Sequence, residues 1–81
     1  MKIVKFESTG CVPCKIADNM LNELGLKVDE KININENEEL RLKYDVMKAP
    51  TFMLLDDNDK EVERVIGLDE QGVVSLFDKR N

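Results

Sequence analysis

The chain is 81 residues long and carries 12 Lys or Arg against 17 Asp or Glu, so its formal net charge is −5. This length predicts one domain over residues 1–81, and the absence of a long apolar run or an apolar export segment predicts a cytoplasmic protein, which we expect to be a monomer. Because no basic cluster offsets the negative charge, we expect neither nucleic acid nor an anionic membrane as a partner.

The first half of the chain predicts two strands with a helix between them. Residues 2–6 are β-branched and nearly alternate in polarity, which is typical of a strand. A helical stripe of apolar residues begins at Val12 and is closed by Gly25, which predicts a helix with a glycine C-cap. Residues 28–34 alternate again and predict a second strand. One face of this strand would carry Val28, Ile32 and Ile34.

The second half predicts a helix, a hairpin and a final helix. Asn35 is expected to cap a helix that has an acidic first turn and ends near Asp45. The continuous apolar run 51–55 predicts a central strand buried on both faces, and residues 60–66 would return beside it as an antiparallel strand. Asp69 is expected to cap the last helix. The predicted order is therefore β-α-β-α-β-β-α.

Two cysteines lie three positions apart at the predicted start of the first helix. Cys11 would be the N-cap, where free backbone N–H groups and the helix dipole stabilise a thiolate. Cys14 would lie one turn further on the same face, close enough to form a disulfide with Cys11. Pro13 is tolerated between them because its missing N–H has no intrahelical partner in the first turn. Such a pair suits thiol–disulfide exchange, in which one thiolate attacks a substrate disulfide and the other resolves the mixed disulfide.

Three other interpretations of the cysteine pair stand beside this one. Half of a zinc site is the first, but zinc takes four ligands, and without histidine or a third cysteine the rest would have to come from carboxylates or a second chain. An inert structural disulfide is the second, although closing so small a loop stabilises the fold little. Two unrelated core thiols are the third, although core thiols do not collect at helix starts. We predict a redox-active pair and no metal.

Three separated features of the sequence occur together. They are the helix start Cys11-Val12-Pro13-Cys14-Lys15, the segment from Lys31 to Asn35 that leads to Tyr44, Val46 and Ala49-Pro50-Thr51, and Gly67 after the last predicted strand. In this combination the chain resembles the thioredoxin family over essentially its whole length. The resemblance implies an α/β thioredoxin fold of minimal size, with a central mixed four-stranded sheet flanked by helices. It also implies that the working group is the Cys11–Cys14 dithiol/disulfide itself, without a cofactor.

The resemblance also implies which residues surround the cysteines. Pro50 matches a proline that is cis and faces the pair, and Ala49 matches the residue whose backbone offers hydrogen bonds to an incoming chain. Met47 is expected near the site because it lies just before this proline. The expected substrate-binding residues are Gly10, Val12, Pro13, Ala49, Pro50 and Gly67.

The chain departs from the family at several positions. Lys5 stands where the family has a buried carboxylate that is held to take the proton of the second cysteine, and Lys31 matches the lysine that usually neighbours that carboxylate. Gly10 replaces the common aromatic residue, and the first strand and helix of full-length members are missing. Burying an unpaired ammonium costs roughly 2–3 kcal/mol or more, so we expect Lys5 to be partly exposed. Both lysines are candidate electrostatic modulators of the site.

The resemblance predicts a thiol–disulfide oxidoreductase that reduces protein disulfides, with Cys11 as nucleophile and Cys14 as resolving thiol. Its partners would be disulfide-containing proteins and an upstream reductase of the thioredoxin-reductase type, or glutathione. Three alternatives remain open at this point. They are a glutaredoxin-like protein that uses glutathione, a dedicated electron donor for ribonucleotide reductase, and a non-catalytic binding module on the same fold.

Overall fold

The structure is a computed structural model, and it describes residues 1–80. Within this range the chain forms four strands and three helices in the predicted order. They are β1 (Lys2–Glu7), α1 (Val12–Leu24), β2 (Glu30–Asn33), α2 (Glu38–Lys43), β3 (Thr51–Leu55), β4 (Glu61–Ile66) and α3 (Glu70–Arg80). No helix in residues 1–80 is both long enough and apolar enough to cross a bilayer.

The four strands form one mixed sheet in the order β2-β1-β3-β4. Strand β1 is parallel to β2 and antiparallel to β3, and β3 is antiparallel to β4. Strands β2 and β4 are therefore the outer strands, and β1 and β3 are the inner ones. All five residues of β3 are buried, which confirms the prediction of a central strand covered on both faces.

Two apolar layers cover the two faces of the sheet. On one face, α1 and α3 pack against Ile3 of β1, Phe52 of β3 and their buried neighbours. On the other face, the residues around α2 cover Val4 and Phe6 of β1. Successive residues of β1 thus point to opposite layers, as the alternation of a pleated strand requires. Odd-numbered residues of β1 face α1, which decides where Lys5 points.

The predicted helix ends are confirmed for α1 and α3. Cys11 is the N-cap of α1 with an extended backbone, and Gly25 closes the helix in the left-handed conformation with a φ of 68°. Asp69 caps α3, since its Oδ1 accepts the N–H of Gly72 at 3.0 Å. The Cys11 cap fixes the start of α1, which follows β1 after the four residues 8–11.

The second strand is present, but the bounds predicted for it and the residue predicted to cap α2 were wrong. Strand β2 begins only at Glu30, so the alternation does not extend to Val28, which packs in the opposite layer from Ile32. Asn37, and not Asn35, precedes α2. The side chain of Asn35 instead accepts the backbone N–H of Thr9 at 2.8 Å and ties the β2–α2 loop to the turn before α1.

Candidate active site

The two cysteines form a disulfide at the start of α1, with their Cα atoms 5.2 Å apart. The N–H of Cys14 donates to the sulfur of Cys11 at 3.1 Å, so that sulfur takes the place of a capping oxygen. Cys11 is partly exposed, whereas Cys14 is buried at 4% exposure. Pro13 lies in the first turn, where it removes no helical hydrogen bond. The pair therefore presents one accessible sulfur and one protected sulfur.

The segment before β3 lies opposite the accessible sulfur. The sulfur of Cys11 is 3.8 Å from the carbonyl oxygen of Ala49, and the Ala49–Pro50 peptide bond is cis, as expected. Pro50 is buried, and its carbonyl oxygen accepts the N–H of Gly67 at 2.9 Å. The Oγ1 of Thr51 donates to the carbonyl oxygen of Lys48 at 2.7 Å and closes a turn around the proline. The structure thus brings Ala49, Pro50 and Gly67 together beside the disulfide.

The segment that leads to Ala49 is fixed by contacts with the β3–β4 hairpin. The hydroxyl of Tyr44 donates to the carbonyl oxygen of Asp59 at 2.7 Å. The Arg64 guanidinium donates to the carbonyl oxygens of Tyr44 and Asp45 and to the carboxylate of Glu61. The two hydrogen bonds from Arg64 to Tyr44 and Asp45 satisfy carbonyl groups at the end of α2, which helices otherwise leave unpaired.

Four exposed apolar side chains belong to the chain segments that carry the disulfide, Ala49 and Gly67. They are Val12, Met47, Ile66 and Leu68, which are 48% to 77% exposed and are called the apolar rim below. Val12 separates the two cysteines, Met47 precedes Ala49 on the same segment, and the other two flank Gly67. Gly10 lies directly before Cys11. Clustered apolar exposure of this kind marks interaction surfaces.

The sequence predicts a partly exposed Lys5, but the structure shows that its side chain is completely buried. Its ammonium donates to Oε1 of Glu7 at 2.8 Å, to Oδ1 of Asp18 at 2.9 Å and to the carbonyl oxygen of Cys14 at 3.0 Å. The expectation assumed an unpaired charge, and that assumption was wrong. Three acceptors, two of them carboxylates, offset the cost of removing the ammonium from water.

The register of the sheet places a second lysine beside the first. Lys5 of β1 is paired with Lys31 of β2 on the same face, and Asp18 lies between them, 2.9 Å from the first ammonium and 3.2 Å from the second. Burial acts to raise the pKa of Asp18, but hydrogen bonds from the two lysines and their positive charges hold it below its usual value. Lys5, Glu7, Asp18 and Lys31 are called the lysine–carboxylate cluster below.

Sequence reasoning missed the two carboxylates of this cluster. A signal for each existed, since Asp18 follows Cys14 by one helical turn and Glu7 follows Lys5 on the same face of β1.

Residues 1–80 contain no group of three or more His, Cys, Asp or Glu side chains that could hold a metal ion.

The chain is similar to several known proteins over most of its length. A family model described as Thioredoxin matches residues 1–79. The SPbeta prophage-derived thioredoxin-like protein YosR of Bacillus subtilis (strain 168) is 31% identical over 67 residues, which cover 83% of this chain and 82% of that protein. A thioredoxin of Staphylococcus epidermidis is 32% identical over 85 residues, which cover 98% of this chain and 81% of that protein. The crystal structure of thioredoxin NaTrxh from Nicotiana alata superposes with a TM-score of 0.82 at 30% identity, over 98% of this chain and 71% of that one.

Proposed function

Because this chain belongs to the thioredoxin family and has its thiol–disulfide oxidoreductase chemistry, we propose that it reduces protein disulfides with Cys11 as nucleophile and Cys14 as resolving thiol. The observation that carries the assignment is the unequal burial of the two sulfurs. Cys11 is accessible at the helix N-terminus, where the dipole and free N–H groups favour a thiolate, while Cys14 is enclosed. Only the accessible sulfur can meet a disulfide in another protein first.

The reaction proceeds through two exchanges. The Cys11 thiolate attacks one sulfur of the substrate disulfide, a Cys11–substrate S–S bond forms, and the second substrate sulfur leaves as a thiolate that takes up a proton. Cys14 then loses its proton and attacks the sulfur of Cys11, which releases the remaining substrate thiolate. The substrate disulfide gains two electrons and two protons, and the enzyme ends as the Cys11–Cys14 disulfide.

The surface around Cys11 supports a protein chain as the substrate. Within residues 1–80, no backbone group pairs with the N–H or the carbonyl of Ala49, so this residue can hydrogen-bond an extended segment beside Cys11. Gly10, Pro13 and Gly67 add little side-chain bulk there, and the apolar rim adds area for contact. We assign substrate binding to Gly10, Val12, Pro13, Ala49, Pro50 and Gly67.

The oxidised enzyme needs an electron supply to turn over. We assign this role to an upstream reductase of the thioredoxin-reductase type, in keeping with the family. Glutathione is the competing donor, and the chain has the single Gly67 after β4 where glutathione-binding relatives show a Gly-Gly pair. A cytoplasmic location is part of the proposal, because a dithiol reductant works where the compartment keeps thiols reduced.

The test is insulin-disulfide reduction with NADPH and thioredoxin reductase, run beside the same assay with NADPH, glutathione and glutathione reductase. We expect turnover with the first donor system. Cys11→Ser should abolish turnover, and Cys14→Ser should accumulate a stable mixed disulfide at Cys11, visible as a mass shift. Two results would indicate a binding module instead. One is no insulin reduction with either donor system. The other is a protein partner that binds the unsubstituted protein and Cys11→Ser equally well.

A further inference from the structure

Lys5 is a buried charged group that the two exchanges above do not use. Its ammonium nitrogen lies 3.0 Å from the carbonyl oxygen of Cys14, and both residues are enclosed between β1 and α1. We propose that Lys5 is a positioning residue for the resolving step, in which its fixed positive charge stabilises the thiolate of Cys14. The inference rests on the proposed role of Cys14 and extends it.

The hydrogen bonds of Lys5 show that it acts as a charge and not as a base. An ammonium has three N–H donors and no acceptor. Here the three donors go to Glu7, to Asp18 and to the carbonyl of Cys14. A neutral amine would lose one of these donors and would face two carboxylates without its charge. The side chain that makes these three hydrogen bonds is an ammonium, which has no lone pair to take the proton of Cys14.

The positive charge acts on the second exchange. In the mixed disulfide, Cys14 must give its proton to water before its thiolate can attack the sulfur of Cys11. The new Cys11–Cys14 bond forms as the Cys11–substrate bond breaks, and the substrate thiolate takes up a proton from water. A cation close to Cys14 lowers the free energy of its thiolate relative to the thiol, and so increases the fraction ready to attack.

Differences in exposure within the lysine–carboxylate cluster support an electrostatic effect of Lys5 on Cys14. Within the lysine–carboxylate cluster two cations balance two anions, but the four side chains differ in exposure. The side chain of Lys5 is 0% exposed, against 29% for Glu7, 34% for Asp18 and 49% for Lys31. Water screens the three exposed charges more than the buried one.

The other elements packed against β1 bring no further charge to this place. Strand β3, which pairs with β1 on the side opposite β2, contains Thr51 and four apolar residues. Helix α3 packs Val73, Leu76 and Phe77 against the sheet. The ammonium of Lys5 is thus the enclosed charge nearest to the backbone of Cys14 among the described residues.

The experiment isolates Cys14 in a Cys11→Ser background and follows its thiolate by ultraviolet absorbance against pH. With Lys5→Met added, we expect the midpoint of thiolate formation to rise by about one pH unit. The matched control is Lys2→Met, which removes the same charge from a partly exposed position of the same strand. The control should leave the midpoint in place. An unchanged midpoint in Lys5→Met would overturn the proposal.

A second variant distinguishes the loss of the Lys5 cation from the loss of an ion-pair partner for the Asp18 carboxylate. Lys5→Met leaves Asp18 with Lys31 alone, and the less compensated carboxylate would itself disfavour a nearby thiolate. The double variant Lys5→Met/Asp18→Asn keeps the cluster neutral. We expect its midpoint to stay raised. If the rise disappears in the double variant, the carboxylate is responsible and the assignment to Lys5 is wrong.

The rate of the second exchange gives an independent readout in the protein with both cysteines. Stopped-flow mixing of reduced protein with the disulfide of 5-thio-2-nitrobenzoate releases one thiolate at Cys11 and a second when Cys14 resolves. For Lys5→Met at pH 7 we expect the second phase to slow about threefold, since higher basicity makes the remaining thiolate more nucleophilic and offsets part of the loss. Slowing of the first phase alone would contradict the proposal. Neither readout requires insulin turnover, so failure of the proposed reductase activity would be seen separately.

Discussion

The backbone N–H of Gly67 donates a 2.9 Å hydrogen bond to the carbonyl oxygen of Pro50. The bond links the end of β4 to the residue that follows Ala49, although the two segments are separated in sequence by the whole hairpin. Gly67 has a φ of 82°, a conformation that other residues adopt only with strain. This contact extends the antiparallel pairing of β3 and β4 by one step beyond Thr51 and Ile66, and it joins the two segments beside Cys11.

Gly67→Ala should weaken binding of protein substrates without changing the chemistry of the cysteines. A methyl group at this position meets no protein atom within 4 Å, so it would project into the open space where we propose that a protein substrate binds. The left-handed backbone adds a cost of about 1–2 kcal/mol to folding. We expect the KM for insulin disulfides to rise severalfold, with an unchanged rate of reaction with a small aromatic disulfide.

Gly25→Ala is the control for this variant. Gly25 also has a positive φ, of 68°, and no atom within 4 Å of an added methyl group, but it closes α1 at the end away from Cys11. Both variants should lose similar stability in urea unfolding, and only Gly67→Ala should raise KM. An equal rise in both would show that strain, and not the docking surface, is the cause.

Alkylation of the reduced protein should distinguish the two cysteines. Cys11 is partly exposed and Cys14 is 4% exposed, so limiting iodoacetamide should label Cys11 first. Peptide mapping after brief exposure measures the ratio directly. The labelling of Cys14 should become comparable only in denaturant, and faster labelling of Cys14 in the native protein would reverse the assigned roles.

Arg64→Met should destabilise the segment that carries Met47 and Ala49. The variant removes the donors to the carbonyl oxygens of Tyr44 and Asp45, and we expect a loss of about 1–3 kcal/mol in the free energy of unfolding. Lys79→Met is the matched control, because it breaks an ion pair with Glu63 in which both side chains are exposed. Its cost should stay below about 1 kcal/mol, and equal costs would refute the role of Arg64.

The ionised carboxylate of Asp29 should stabilise the fold at neutral pH, and this contribution should be lost in acid. Burial acts to raise the pKa of this carboxyl, but the N–H of Ile3 and the charge of Arg80 hold it below its ordinary value. Because the folded pKa lies below the unfolded one, the contribution is complete above the unfolded value of about 4 and is lost as pH falls through the folded pKa.

Asp29→Asn should therefore be less stable than the unsubstituted protein at neutral pH by under about 1 kcal/mol, since the carboxylate is partly exposed. The difference should shrink as the pH is lowered below 4 in urea titrations. Asp57→Asn, at a side chain that is 96% exposed, is the control and should cost less stability than Asp29→Asn at neutral pH. A difference for Asp29→Asn that persists at low pH would mean that its effect is not electrostatic.

Local sequence signals were sufficient for most of the fold. A continuous apolar run predicts the burial of β3, and a glycine predicts the end of α1. Both signals lie in neighbouring residues, and both predictions are confirmed. The position of the cysteines at a helix start is equally local. The start of β2 could not be predicted in this way, because Val28 fits the sequence pattern of the strand although it precedes Glu30, the first residue paired with β1.

The depth of Lys5 could not be predicted in the same way. It depends on Asp18 from α1 and on the register between β1 and β2, neither of which is visible in the residues around Lys5. A lysine in a strand has the same local sequence whether its ammonium meets water or a carboxylate from another element. Tertiary pairing decides between the two outcomes, through a desolvation cost that its acceptors offset.

The two outer strands also affect whether copies of the molecule associate through their sheet edges. An unpaired strand edge offers free N–H and carbonyl groups to any extended chain nearby, and short or charged edges discourage such pairing. Strand β2 is only four residues long and begins with the exposed pair Glu30 and Lys31, while β4 begins with exposed Glu61. Sheet-to-sheet association through either edge would remove these charges from water. The charges at these edges therefore disfavour polymerisation through the sheet, while within residues 1–80 no backbone group pairs with Ala49 beside Cys11.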